Sequence, residues 1–490
     1  MRAARLRLAR SLRPGNARWL LLGAYAALGT AWLFSDPPFS SPDEEAHYVR
    51  AIGVSQGSLV GSEVQVPVGL SPDAFSCEIK DPAVSAACTL GKPENPVTEG
   101  EFTAAGLWPP LPYVLPAIAL RAGSDATSAL RLARLATLAV WLALLAAAIA
   151  ASWDGDAGLL SLAGLVVALT PMVVFVGASL TDSSDEVLGS IVLTAALLRV
   201  LRGGTPAPRW VWWIAGAAGF LLALTRQLSP LWIGCIVLTW LALAGRAGAA
   251  RALRSGGRSA IAAATMLALG VVLGVAWDIR YQTPGKVTAL PSLDSLRNAL
   301  HSLRLLAGDL VGNFGYLNVP LGAVPDAAWA VGLAALVVLA GRVAARRGAL
   351  ALLLALLLAV LVPALLDADV IFGLGFGVQA RDILPLIVLV PLLAGELVRE
   401  HRDRLPAPLR AHLCALVLLI AAAVQLTAWW ADARRYAVGD HGPLWFLASA
   451  QWSPPVAWGL WLALVLLATG VFVLLAVRAL AAGTRERGAY

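Results

Sequence analysis

Apolar runs of about 17–25 residues, the length that crosses a hydrocarbon core, recur along this chain with polar breaks between them. They predict helices near 19–35, 128–150, 157–177, 185–201, 210–226, 229–244, 259–277, 327–344, 349–366, 383–397, 410–430 and 455–478. In lipid a helix satisfies its backbone amides within its own segment, so long apolar runs read as spans. The breaks are unequal. Those at 36–127 and 278–326 are long, those at 367–382 and 431–454 are shorter, and 178–184 and 227–228 are turns. The pattern predicts one all-α, polytopic membrane domain over 1–490, with about twelve transmembrane helices and loops carrying short amphipathic helices.

Composition supports this reading. Of 490 residues 59% are hydrophobic and 14% charged, against about a quarter charged in soluble domains. The net charge of +7 comes almost wholly from arginine, the lysines being Lys80, Lys92 and Lys286. With abundant Ala, Gly and Leu, that bias points to a GC-rich bacterial genome. Arg2, Arg5, Arg7, Arg10, Arg13 and Arg18 precede the first span and place it inside. Alternation then puts Arg202 and Arg209 inside, followed by Arg246, Arg251, Arg254 and Arg258. Arg342, Arg346 and Arg347, then Arg399, Arg402, Arg404 and Arg410, and finally Arg478, Arg485 and Arg487 fall inside too. Both termini are expected in the cytoplasm, and 36–127 and 278–326 outside it, in a bacterial plasma membrane. The basic surplus orients the chain, so nucleic acid is not an expected partner. The first apolar stretch ends in Phe34-Ser35-Asp36-Pro37 without a small-x-small site, which predicts a retained anchor and not a cleaved signal peptide. No nucleotide-binding loop or zinc-ligand cluster occurs.

Cys77 and Cys88 share the first outside loop, where a disulfide is expected; Cys235 and Cys414 lie in spans as small apolar side chains. Just past the first span stands Ser40-Ser41-Pro42-Asp43-Glu44-Glu45-Ala46-His47-Tyr48-Val49-Arg50. As local structure it is a helix start, with Ser41 capping, Pro42 first in the helix and Glu44 closing a capping box. Capping leaves unexplained why Asp43, His47 and Arg50 fall at i, i+4 and i+7 on one face. A carboxylate there can act as general base or bind a metal, and basic groups can meet a phosphate.

Pro42-Asp43-Glu44-x-x-His47 after an anchoring first helix resembles a bacterial membrane-protein family of unknown function. That family is commonly grouped with the GT-C superfamily of lipid-dependent glycosyltransferases. Trp108-Pro109-Pro110-Leu111-Pro112-Tyr113 resembles the superfamily's Pro-Pro-Leu segment, and Asn313-Phe314-Gly315-Tyr316 its Gly-aromatic turn. Gln379-x-Arg381-x-x-x-Pro385 resembles its Gln-Gly-Arg-Tyr-x-x-Pro motif, with Ala380 for Gly and Asp382 for Tyr.

The resemblance implies a GT-C-like fold and transfer of a sugar from a polyprenyl-phosphate donor to an envelope glycan, lipid or protein acceptor outside the membrane. Asp43, Glu44 and His47 are then the catalytic candidates, and Arg226, Gln379 and Arg381 the donor-phosphate contacts. Arginine's planar fork suits phosphate oxygens. In Thr181-Asp182-Ser183-Ser184-Asp185-Glu186, either Asp182 or Ser184 caps the following span with Glu186 in its first turn, or Asp182 and Asp185 form a second acidic site. Such a site can hold a divalent cation, Mg or Mn; no metal is specified by the sequence. Arg226 can instead snorkel to headgroups, and Arg131 and Arg134 can bind anionic lipid. Trp210, Trp212, Trp213, Trp429 and Trp430 read as an interfacial belt. The competing functions are a transporter or flippase of lipid-linked intermediates, marked by mid-span charge, broken helices and repeats, and a non-catalytic scaffold.

Overall fold

The computed structural model describes residues 16–67, 70, 81–89, 100–203, 206–281, 293–374 and 377–487. Its helices are α1 Ala17–Ser35, α2 Glu44–Ser55, α3 Val114–Ala119, α4 Ala126–Ser152, α5 Ala163–Ala168, α6 Pro171–Ala178, α7 Ser183–Arg199 and α8 Arg209–Ala223. They continue as α9 Ser229–Tyr281, α10 Leu293–Asp309, α11 Ala323–Val343, α12 Arg346–Leu374, α13 Ala380–Ile387, α14 Leu389–Glu400, α15 Ala407–Val438 and α16 Trp458–Arg487. Strand is confined, among the described residues, to two antiparallel pairs, Glu63–Val64 with Glu101–Phe102 and Asn313–Phe314 with Val319–Pro320. The protein is an all-α, polytopic membrane protein.

Seven of the described helices are long and apolar enough to cross a membrane, or eight if one bent pair counts as a span. The shortfall from twelve has local causes. The expected span 157–177 bends by 70° between Gly158–Ala168 and Pro171–Ala178, where Pro171 cannot continue the preceding ladder. α7 has 17 residues and α8 15, at and just below the shortest length that crosses. The expected spans 229–244 and 259–277 are the two arms of α9, which breaks at Gly245 (φ 63°) and Gly257 (φ 52°). Pro385 and Pro391 lie in α13 and α14, which divide the expected span at 383–397. α12 and α15 run beyond their predicted ends into the segments read as loops, and α10 supplies the expected helix of the 278–326 loop.

Lipid tails are as apolar as leucine, so helices associate in a bilayer by close packing of small residues more than by apolar burial. Gly164 and Gly395 show it: a side-chain carbon on Gly164 would stand 2.3 Å from the Pro391 carbonyl oxygen. α5 and α14 cross on that absence. Beside them Trp32 of α1 stacks edge-on to Phe175 of α6 and tilts onto Phe314, at 5.4 and 4.8 Å between ring centres. The belt expectation divides. Trp210 and Trp213 are exposed, but Trp212 and Trp429 are buried, Trp429 donating to Ser35 Oγ at 2.9 Å. Cys88 is disulfide-bonded and Cys235 and Cys414 are free; Cys77 lies outside the described residues.

Candidate active site

The site begins at the turn leaving α1. Arg134, from the third turn of α4, reaches that turn and spends all five of its N–H donors there. Nε and Nη2 grip the two Glu44 oxygens at 2.8 and 2.5 Å; Nη1 donates to the carbonyls of Leu33 and Asp36, and Nη2 also to that of Pro37. Glu44 Oε1 accepts in addition from the Leu180 amide at 2.9 Å. Both side chains are buried. The capping-box expectation is therefore corrected: Glu44 faces a buried guanidinium, because an ion in this interior needs its counter-ion more than a helix end needs a cap. Ser41 bonds Ser179 Oγ at 2.7 Å instead of capping. Arg134 is a staple, not a lipid contact.

With Glu44 fixed, α2 starts two residues later than expected and Asp43 occupies its N-cap. Asp43 has φ 60° and ψ 13° and makes no side-chain cap. This left-handed conformation is one that Asp and Asn tolerate better than most residues. It turns the carboxylate away from the helix to meet Arg381 Nη2, and leaves that carboxylate 48% exposed. Arg381 is braced from two more sides, Nη1 donating to the Pro42 carbonyl at 2.8 Å and Nε to Gln379 Oε1 at 2.7 Å. Gln379 thus orients Arg381. Glu45 accepts from Tyr316 Oη at 2.8 Å.

The inner wall of the site is aromatic and acidic. His47 is buried, with Nδ1 2.8 Å from Tyr113 Oη and Nε2 3.3 Å from Thr181 Oγ1; Asp182 Oδ1 stands 4.0 Å from Nε2. Burial first, then Arg381 and Arg226, hold the imidazole pKa well below its ordinary range, so His47 is neutral near pH 7. Arg50 turns inward and donates to the carbonyls of Leu59 and Trp108 at 2.6 and 2.9 Å. The single helical face expected of Asp43, His47 and Arg50 is split by the backbone twist at Asp43.

Arg226 comes in from the turn before α9 and lies over the Trp108 ring, 5.2 Å from its centre. Its Nη1 meets Asp382 Oδ1 at 2.7 Å and Ser183 Oγ at 3.2 Å; Asp182 and Glu186 stand 3.7 and 3.8 Å away. Asp182 holds the N-cap position of α7 but forms no cap, and neither of its buried oxygens has a hydrogen-bond partner. Desolvation raises its pKa to about 6 against the pull of both arginines. Asp185 is buried behind it with Oδ1 unpartnered. Orphaned buried oxygens of this kind call for a ligand, water or proton.

Sequence reasoning did not single out Glu45, Thr181, Glu186 or Asp382 as site residues. Glu186 was legible as the residue four after Asp182, hence on the same helical face. Asp382 was recorded only as a departure from a motif, and it is the residue that ties Arg226 to the Gln379-x-Arg381 segment. Both arginines expected to wait for a phosphate are already paired with carboxylates. Among the described residues no three His, Cys, Asp or Glu groups are placed to hold a metal. The Arg226 guanidinium itself stands among Asp182, Glu186 and Asp382.

A family model described as "predicted membrane protein (DUF2142)" matches residues 27–390. No curated protein matches significantly. Among solved structures, the crystal structure of ArnT from Cupriavidus metallidurans bound to undecaprenyl phosphate is similar at 14% identity and a TM-score of 0.44, over 96% of this chain and 78% of that one. A likeness of that degree leaves reaction and ligand to be argued from the residues.

Proposed function

The chain belongs to the family of predicted membrane proteins (DUF2142), and on that footing we propose that it transfers a sugar from a polyprenyl-phosphate donor to an envelope acceptor. One observation carries the reading. Four segments far apart in sequence, around Asp43, Trp108, Tyr316 and Arg381, converge on one site: Arg381 pairs with the half-exposed Asp43 carboxylate, Tyr316 bonds Glu45 two residues on, and Trp108 packs against Arg226. They are the segments whose motifs resemble lipid-dependent glycosyltransferases. The arginine distribution supports an extracytoplasmic position for this pair.

In the proposed step the acceptor hydroxyl attacks the anomeric carbon, and its proton passes to the Asp43 carboxylate. The new C–O bond forms as the bond from that carbon to the phosphate oxygen breaks, with inversion. The electron pair leaves with the polyprenyl phosphate, whose growing charge Arg381 and Arg226 neutralise. Gln379 holds Arg381 in register, and Glu44 fixes the turn that aims Asp43. Neutral His47 and Tyr113 form the wall against which Asp182 and Arg226 are set. Asp185 adds a second buried carboxyl behind Asp182. Purified protein given a radiolabelled polyprenyl-phosphate hexose and an envelope extract should release polyprenyl phosphate and label an acceptor. Intact donor after prolonged incubation across a range of sugars would remove the transferase reading.

The bent pair at Gly158–Ala168 and Pro171–Ala178 favours the second reading, a transporter or flippase, because discontinuous helices mark such folds. Movement of labelled donor between leaflets of a proteoliposome, with no chemical change, would establish it.

Asp182 gives the donor site a pH dependence. Its folded pKa, about 6 against an ordinary 3.8, means that the stability it contributes is present below pH 3.8 and lost as pH rises through about 6. Above that point the ionised carboxylate competes with a donor phosphodiester for Arg226. Donor affinity is therefore expected to fall as pH rises from 5 to 7, and the trend to flatten in Asp182→Asn. Titration of donor binding across that interval decides; an identical slope in both proteins would assign the dependence elsewhere.

A further inference from the structure

At the other end of the same helices lies a cavity of about 520 Å³. α7 begins at the candidate site and ends at this cavity; its 17 residues, at about 1.5 Å each, set the two roughly 25 Å apart. α9 likewise starts at Ser229, bonded to Glu186, and reaches the cavity with its break at Gly245 and the arm beyond it. Leu198 and Leu243 give the cavity an apolar floor, and Arg202, Arg251, Arg347 and Arg399 line it together with Glu396 and Glu400.

These four arginines are not equivalent. Arg202 grips both Glu396 oxygens at 2.8 and 2.7 Å, and Arg399 bonds Asp154 and Glu396, each at 2.8 Å. Arg251 and Arg347 have no acidic partner among the described residues. Arg347 packs against the break in α9, where a side-chain carbon on Gly245 would lie 2.9 Å from its Nη1. The break lies between Leu243 and Arg251, which both line the cavity, and it leaves room for the Arg347 guanidinium. Two unpaired forks over an apolar floor suit the oxygens of a phosphate.

The geometry points to a second ligand site here, on the arginine-rich and hence cytoplasmic end, for a phosphate-bearing anion. The apolar floor favours the headgroup of an anionic lipid; a soluble phosphate offers the same oxygens. Basic pockets between helices on that side are suited to anionic headgroups. The inference is independent of the transferase reading.

Full-length protein in neutral detergent tests it. Native mass spectrometry with added phosphatidylglycerol, and calorimetry with inorganic phosphate, separate the two sources; binding of either probe supports a phosphate site. The R251Q/R347Q protein should bind that probe about tenfold more weakly or worse, and R251K/R347K should recover part of the loss. R342Q/R346Q removes the same charge from the same end, outside the cavity lining, and should bind as wild type. No binding of either probe to the wild-type protein overturns the site. So does equal weakening by both charge-removing pairs.

Discussion

Replacing Glu44 by Gln is expected to cost about 3–5 kcal/mol of stability, the loss typical when one partner of a buried ion pair is removed. Glu44 takes a bidentate grip from Arg134 and a third bond from the Leu180 amide, with both side chains buried. A neutral amide in its place presents an N–H₂ group to a guanidinium, so a charge with no counter-ion remains in the interior. Arg134→Met should behave differently. It removes the ion but strands the Glu44 carboxylate and frees the Leu33, Asp36 and Pro37 carbonyls, so its cost should be at least as large. The double variant Glu44→Gln/Arg134→Met leaves no unpaired charge and should recover part of the loss. Thermal unfolding in detergent, followed by tryptophan fluorescence, measures all three. Strict additivity of the two single losses would mean that the pair is not coupled, and its place as the anchor of the site would fall.

That anchor shows what was and was not legible beforehand. Alternation of apolar runs and arginines predicted the membrane class, because lipid imposes length and charge rules that a single sequence displays. About twelve spans were expected and seven or eight of the described helices have the length and hydropathy of one, because hydropathy registers Pro171 and Gly245 only weakly although they bend or break the helices they sit in. Asp43, His47, Asp182, Arg226, Gln379 and Arg381 were each visible as polar residues next to apolar runs, and the structure brings them together. Their pairings were not visible. Helix-start rules assigned Ser41 and Glu44 to caps and left Asp182 between a cap and a second acidic site, since local sequence carries no trace of an arginine 90 residues away in the chain. Asp382 looked like a flaw in a motif until Arg226 was found beside it.

Asp43→Asn is the substitution that separates charge from backbone at the proposed reacting centre. Asp43 sits at φ 60°, a conformation in which Asn is also at ease, so helix α2 should start at the same residue and folding should change little. Alanine at this position would confound the test by disfavouring the turn. Asn keeps the size and polarity of the side chain but cannot accept the acceptor hydroxyl's proton. Transfer should then fall about 10²-fold or more, the usual contribution of a general base. Donor binding should move the other way. The carboxylate that meets Arg381 in the resting protein is gone, and a donor phosphate no longer competes with it for the guanidinium. Arg381→Ala reverses the signs on binding, weakening the donor by the loss of a charge-assisted contact. Measuring donor affinity and single-turnover transfer separately in nanodiscs distinguishes the two variants. Slow transfer with equal or tighter donor binding identifies Asp43 as the base; weaker binding in Asp43→Asn would make it part of the donor cradle instead. Wild-type turnover by Asp43→Asn would leave the Asp43–Arg381 pair as a structural clasp between α2 and α13.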